Sequence, residues 1–109
     1  MSMNISASDL IEKYGSEVSV TDSNDNTVKN VKAFIQPFRP NSDTYLIDTD
    51  NNTNDDGIYL YIGEPSLRLD MYPIGTEVRS KECNYILKKA DAVKISESVI
   101  YIRAILYKN

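Results

Sequence analysis

The strongest pattern of apolar and polar positions lies near the C-terminus, at residues 99–107. Side chains alternate between the two faces of a β-strand, and here most odd positions are apolar. A strand over these residues should therefore be covered on both faces, as in a central strand, a closed barrel or a subunit interface. The even positions are all apolar: Ile100, Ile102, Ala104 and Leu106.

Alternation with a period of two predicts further short strands along the chain. They fall at residues 17–21, 28–38, 44–47, 58–62, 74–78 and 83–95, and polar or turn residues separate them. Pro37 and Pro40 lack the amide hydrogen that a central strand donates, so the second strand should end there or lie at an edge. In the last of these segments the odd positions carry the apolar pattern: Cys83, Tyr85 and Leu87, then Val93 and Ile95.

The N-terminal segment, residues 1–15, predicts a short helix. Ser6-Ala7-Ser8-Asp9 has the spacing of a capping box with Ser6 as the N-cap, and Ser8 is the alternative cap. Gly15 suits a left-handed stop at the C-terminal end. Three apolar side chains then share one side of the helix: Leu10, Ile11 and Tyr14. A helix of about two turns is marginal alone, so this stripe must dock, either on the protein's own sheet or on a neighbouring subunit.

Taken together, the elements predict a mainly β fold in a single domain covering residues 1–109. We expect a small antiparallel β-barrel or sandwich of about six strands with a short N-terminal α-helix. A long polar loop at residues 48–57 interrupts the sheet.

Composition narrows the classes of function. Among 109 residues there is no histidine and one cysteine, which excludes histidine-dependent catalytic triads, imidazole metal ligands and an internal disulfide. Twelve basic against 16 acidic residues give a net charge of −4, which argues against binding to nucleic acid phosphates. The N-terminus lacks the pattern of a signal peptide, and no apolar run is long enough to span a membrane. We therefore expect a structural or binding protein, with no enzymatic activity and no cofactor.

The polar loop invites comparison with a calcium site. When position 1 of an EF-hand loop is set at Asn52, Asn54, Asp56 and Gly57 fall at positions 3, 5 and 6. Position 12 is then Gly63, where the template requires glutamate. The match is partial, and a solvated hairpin loop is the favoured interpretation, so no metal is expected.

Four of the eight tyrosines fall on strand faces opposite the most apolar one: Tyr59, Tyr61, Tyr101 and Tyr107. In residues 58–62 this arrangement places Ile58, Leu60 and Ile62 inward. The tyrosines suit ordinary sheet packing, and they equally suit a subunit interface that includes Arg103. The candidate interface residues are Leu10, Ile11, Tyr14, Tyr59, Tyr61, Tyr101, Arg103, Ile105 and Tyr107.

Residues 58–107 carry the motifs Gly75-x-x-Val78, Tyr85-x-Leu87, Val93 and Tyr101-Ile102-Arg103-Ala104-Ile105-Leu106. In this spacing the segment resembles small head–tail connector proteins of tailed phages, and most of all those of PBSX-like defective prophages. The resemblance implies a small β-barrel that works as a neck component of a phage or phage-tail-like particle, as a head-closure or collar protein.

The same resemblance implies a homo-oligomeric ring, assembled in the bacterial cytoplasm, that binds portal or adaptor on one side and tail terminator or tail tube on the other. DNA would pass through such a ring without specific binding, and the acidic charge suits a channel lining. The candidate loop residues facing the lumen or the adjoining ring are Asp48, Asp50, Asn52, Asn54, Asp55 and Asp56. The alternative is a monomeric β-barrel that binds a small ligand or carbohydrate through its surface tyrosines and this loop.

Overall fold

The computed structural model describes residues 6–38 and 57–109, and their six strands close into an antiparallel barrel. The elements are α1 (Ala7–Tyr14), β1 (Ser16–Thr21), β2 (Val28–Pro37), β3 (Ile58–Gly63), β4 (Glu77–Arg79), β5 (Asn84–Ile95) and β6 (Ser98–Lys108). The strand order around the barrel is β1-β2-β3-β6-β5-β4. A 3-10 turn at Leu69–Met71 lies between β3 and β4. The prediction of a mainly β fold with a short N-terminal helix is confirmed, and of the two predicted architectures, barrel and sandwich, the structure has the barrel.

The N-terminal helix docks on the protein's own barrel. The Ser6 hydroxyl accepts a hydrogen bond from the Asp9 amide at 3.1 Å, which confirms the predicted N-cap. The helix lies against β2, β3 and β6, and Ile11 is fully buried outside the barrel's interior cluster. The prediction of Ile11 as a contact with a neighbour is therefore wrong, because its side chain is already covered. Leu10 and Tyr14 stay exposed.

Gly15 ends the helix in an unexpected conformation. The prediction of a left-handed stop is wrong, since its φ of −72° and ψ of 166° are extended. Its amide donates to the Ile11 carbonyl at 2.7 Å, which brings the chain directly against the helix and β2. A Cβ on Gly15 would lie 2.6 Å from the Ile11 oxygen and 3.1 Å from the Ala33 nitrogen. Glycine is required here for space.

The interior of the barrel is built from one face of every strand. Ile102, Ala104 and Leu106 are buried as predicted. Ile100 is not part of this row, because Tyr101 pairs with Val93 while Val99 pairs with Lys94, and the extra residue forms a bulge. Val99 consequently packs against the core. The buried cluster comprises Val18, Val20, Val31, Ala33, Tyr61, Leu67, Leu69, Val78, Tyr85, Leu87, Ile102, Ala104 and Leu106.

Strand β3 presents the face opposite to the predicted one. Its odd positions pair with the inward positions of both neighbours, so Tyr61 lies between Ile35 and Ala104. Tyr61 is fully buried, whereas its aliphatic neighbours Leu60 and Ile62 are only half-buried on the outer surface. The prediction of Tyr61 as an outward interface residue is wrong for this reason.

A second bulge explains a break in the pattern of β5. Leu87 pairs with Leu106 and Lys89 pairs with Ile105, which leaves Lys88 as the extra residue. The inward row therefore runs from Leu87 to Ala90 and Ala92, and the predicted odd-numbered row ends at Leu87. Ile95, expected on that row, is exposed.

Two predicted features lie outside the described residues. These are the strand at residues 44–47 and the candidate loop residues between Asp48 and Asp56. The end of β2 at Pro37 agrees with the predicted effect of proline, and Pro37 pairs with Tyr59 as the last pair of the β2–β3 ladder.

Candidate functional site

The predicted interface residues separate into exposed, half-buried and buried sets. Leu10, Tyr14, Arg103 and Tyr107 are exposed, and Tyr101 and Ile105 are half-buried on the outer surface of β6. Tyr59, expected to point outward, shares the inward face of β3 with Tyr61 and packs against the core. Outward-facing members of the set are thus confined to the helix and to β6.

The outer surface of β6 brings two of these predicted residues together. Arg103 and Ile105 line a shallow cavity of about 350 Å³ with Leu60 and Phe38. The Arg103 guanidinium contacts the Asp91 carboxylate at 3.3 Å, and both side chains are about half exposed, so this ion pair stabilises the fold only weakly. The surface is a mixed apolar and charged patch on the outside of the barrel.

The three most exposed of the large apolar side chains in the described residues were not predicted as contacts. Met71 and Ile74 lie in the connection between β3 and β4, and Ile95 lies at the tip of the β5–β6 hairpin. The segment Met71-Tyr72-Pro73-Ile74 is apolar without strand alternation, and that signal could have identified it. For Ile95 the signal was hidden, because its exposure depends on the shift of register in β5.

A cavity of about 340 Å³ opens at the seam where β1 and β4 meet. β4 pairs only with Ser19, Val20 and Thr21 of β1, so residues 16–18 have no β4 partner among the described residues. The cavity lies beside this unpaired edge, and its size is in the range of ligand pockets. Its apolar floor is formed by Val18, Ala33, Ile35 and Tyr85, and its polar rim by Ser16, Glu17, Ser80, Lys81 and Glu82.

The rim of this seam cavity is held by the turn between β4 and β5. The Ser80 hydroxyl accepts hydrogen bonds from the Glu82 amide at 3.2 Å and the Cys83 amide at 3.1 Å. It also donates to the Cys83 carbonyl at 3.2 Å. One side chain therefore shapes the turn that presents Lys81 and Glu82, both exposed. Cys83, predicted within a core strand, is half-buried in this turn.

Tyr85 forms the aromatic part of the cavity floor. Its ring lies 5.0 Å from that of Tyr59, in a tilted arrangement. Burial, followed by hydrogen bonding with the Cys83 thiol, raises the pKa of Tyr85 to about 12. The phenol is therefore neutral at physiological pH and acts as a hydrogen-bonding and apolar surface, with no acid–base role at that pH.

This raised pKa predicts a loss of stability in alkali. The folded protein holds the Tyr85 proton more tightly than the unfolded chain does, so the associated stability is present below about pH 10 and is lost toward pH 12. We expect the urea midpoint to fall over this interval, and to fall less in Tyr85→Phe. Equal slopes for the two proteins between pH 10 and 12 would contradict the assignment.

The buried hydroxyl of Tyr61 is a second polar group in the interior. It has no hydrogen-bond partner among residues 6–38 and 57–109. Burial, and then the nearby Glu64 carboxylate, raises the pKa of Tyr61. Its ring lies over Gly63, where a Cβ would come within 2.6 Å of Cζ. Tyr61 is not among the residues that line the seam cavity.

The site is made of hydrogen-bonding, apolar and charged surface groups. Within residues 6–38 and 57–109, no group of three or more Asp, Glu, Cys or His side chains is placed to hold a metal ion. Over the same ranges no helix has the length and apolar character to cross a membrane. No family model, curated protein or solved structure matches the chain.

Proposed function

We propose that the protein is a structural neck component of a tailed phage or phage-tail-like particle. It works as a homo-oligomeric ring that joins or caps the portal or adaptor and the tail. The observation that carries this proposal is the exposure of large apolar side chains at separate places on the barrel, among them Leu10 and Tyr14 on α1, Met71 and Ile74 before β4, and Ile95 on the β5–β6 hairpin. Exposed apolar surface favours contacts with other proteins.

The distribution of these side chains also supports a ring. A ring subunit meets its two neighbours through two different surfaces, and a neck protein meets further partners above and below. Several separate apolar sites on one small barrel suit that requirement better than one self-complementary patch. The resemblance to head–tail connector proteins, over residues 58–107, supports the same class and includes β3 to β6.

The proposal predicts that the protein is part of a particle. An epitope-tagged copy in the native host, after induction of particle production, should sediment with purified particles, and immunogold should label the junction of head and tail or the end of the tail. The control is the same protein with the tag attached after Asn109, expressed without induction and taken through the same purification. It measures how much tagged protein sediments non-specifically. Absence from the particles would contradict the proposal.

In that case the seam cavity favours the alternative, a small-ligand or carbohydrate module, which a rise in melting temperature with sugars would support.

A further inference from the structure

The seam cavity combines an open strand edge with an apolar floor. Residues 16–18 of β1 pair with β2 on one side and have no strand beside them on the other within the described ranges. An unpaired edge presents backbone donors and acceptors that a strand from another chain satisfies. Its rim carries three charges, from Glu17, Lys81 and Glu82. None of them forms an ion pair among the described residues.

The tip of the β5–β6 hairpin has complementary features. Residues 94–98 read Lys-Ile-Ser-Glu-Ser, with an apolar side chain between two opposite charges. Ile95 is 67% exposed, and Ser96 turns the chain at a φ of 59°. β6 runs past its last partner in β3, which is Ile102 opposite Gly63, so the hairpin extends beyond that strand. The tip is therefore an exposed, charged and locally apolar projection.

We propose that the seam cavity receives the β5–β6 hairpin tip of a second copy of this chain. Ile95 would contact the apolar floor at Ile35, its half-buried member, while the rim charges meet those of the tip. Lys94 faces the acidic rim residues and Glu97 faces Lys81. The apolar floor can accommodate one aliphatic side chain. The rim carries a charge opposite in sign to each of the two charges that flank Ile95. The edge of β1 supplies backbone hydrogen bonds. The proposal rests on the function above and names the contact that forms the ring.

The positions of the two surfaces make the contact intermolecular. The cavity adjoins Tyr85, near the start of β5, and Ile95 is the last residue of that strand. At about 3.3 Å per residue, the two lie roughly 30 Å apart along one strand. A tip cannot reach the cavity of its own barrel. Joining one surface to a different one on the next copy is a head-to-tail contact, which closes into a ring or extends as a filament.

The first experiment compares two apolar side chains of similar exposure. Wild-type protein, Ile95→Ser and Val28→Ser are taken through a concentration series by sedimentation equilibrium, since Val28 is 58% exposed but lies outside both surfaces. We expect the association constant to fall by about tenfold or more in Ile95→Ser, because a desolvated aliphatic anchor is lost. Val28→Ser should associate like the wild type. Equal association of all three would overturn the proposal.

The second experiment tests the charges and detects a weak contact. Lys81→Glu and Glu97→Lys should each weaken association, and the double variant should restore it. In a Cys83→Ser background, Lys81→Cys with Glu97→Cys should give a ladder of covalent multimers under mild oxidation. Lys81→Cys with Asn24→Cys, on the distant β1–β2 turn, should not. A protein that stays monomeric at every concentration and gives no ladder contradicts the contact.

The outcomes separate this proposal from the proposed function. If Ile95→Ser enters particles as the wild type does, the hairpin contact is wrong and the neck function stands. If the wild type self-associates through the hairpin but is absent from particles, the contact stands and the neck function fails. A mono- or disaccharide that raises the melting temperatures of wild type and Ile95→Ser equally, with no association of either, assigns the cavity to a ligand and overturns the contact.

Discussion

Replacing Tyr61 by alanine is expected to lower the free energy of unfolding by about 3–5 kcal/mol, the cost of other large aromatic truncations in cores. The ring is fully buried and lies between Ile35 and Ala104 in the barrel interior. Ala104 is a small neighbour, and Gly63 leaves room for the ring on the same face of β3. Because domains of this size are only marginally stable, such a loss should be evident in the urea midpoint.

The matched variant is Tyr61→Phe, which keeps the ring and removes the hydroxyl. That hydroxyl is buried without a hydrogen-bond partner among the described residues, so removing it should leave stability unchanged or raise it by about 1 kcal/mol. A loss above about 1 kcal/mol in Tyr61→Phe would show that the hydroxyl is bonded, and a small effect of Tyr61→Ala would show that the ring is outside the core.

A double-mutant cycle tests the contact between the ring and Gly63. Gly63→Ala places a methyl group against the Tyr61 ring, and such overpacking costs roughly 1–3 kcal/mol. In a Tyr61→Leu background the ring is absent, and the same change should cost much less. Equal costs in the two backgrounds would mean that Gly63 is needed for its backbone alone.

The fold class could be predicted from the sequence, and the inward face of β3 could not. Aliphatic Ile58, Leu60 and Ile62 alternate with two tyrosines, and hydrophobicity alone favours burying the aliphatic set. The outcome depends on pairing with β2 and β6, which places Tyr61 inward beside Ala104, where Gly63 leaves room for its ring. Space in the interior therefore decides the face, and that space exists only once distant strands have closed the barrel.

Bulges also limit the prediction of which side chains face inward. In β5 the adjacent lysines Lys88 and Lys89 are both exposed, and the extra residue moves the inward row onto even positions. Two consecutive charged residues within an alternating run are the signal for such a shift. Ile95 is exposed as a result. The seam cavity had no local signal, since it forms between β1 and the β4–β5 turn, which lie more than 60 residues apart in the sequence.

Gly15→Ala is expected to lower the free energy of unfolding by about 2–3 kcal/mol, as overpacking against a rigid neighbour does. The new methyl group would meet the Ile11 carbonyl oxygen at 2.6 Å and the Ala33 backbone at 3.1 Å, and backbone atoms cannot rotate away. Relief requires the helix to move off β2, which would expose Ile11. Urea denaturation measures the loss, and Gly57→Ala is the control, because a methyl group there meets nothing within 4 Å among residues 6–38 and 57–109.

Gly15→Asn distinguishes space from backbone conformation as the reason for glycine. At a left-handed stop, asparagine is tolerated better than alanine, since its side chain suits that region. Gly15 is extended, with φ near −72°, so any side chain meets the same obstruction. Asparagine should therefore cost at least as much as alanine. If Gly15→Asn were clearly more stable than Gly15→Ala, residue 15 would have to adopt a left-handed conformation. The close contact between the end of the helix and Ala33 would then be wrong as well.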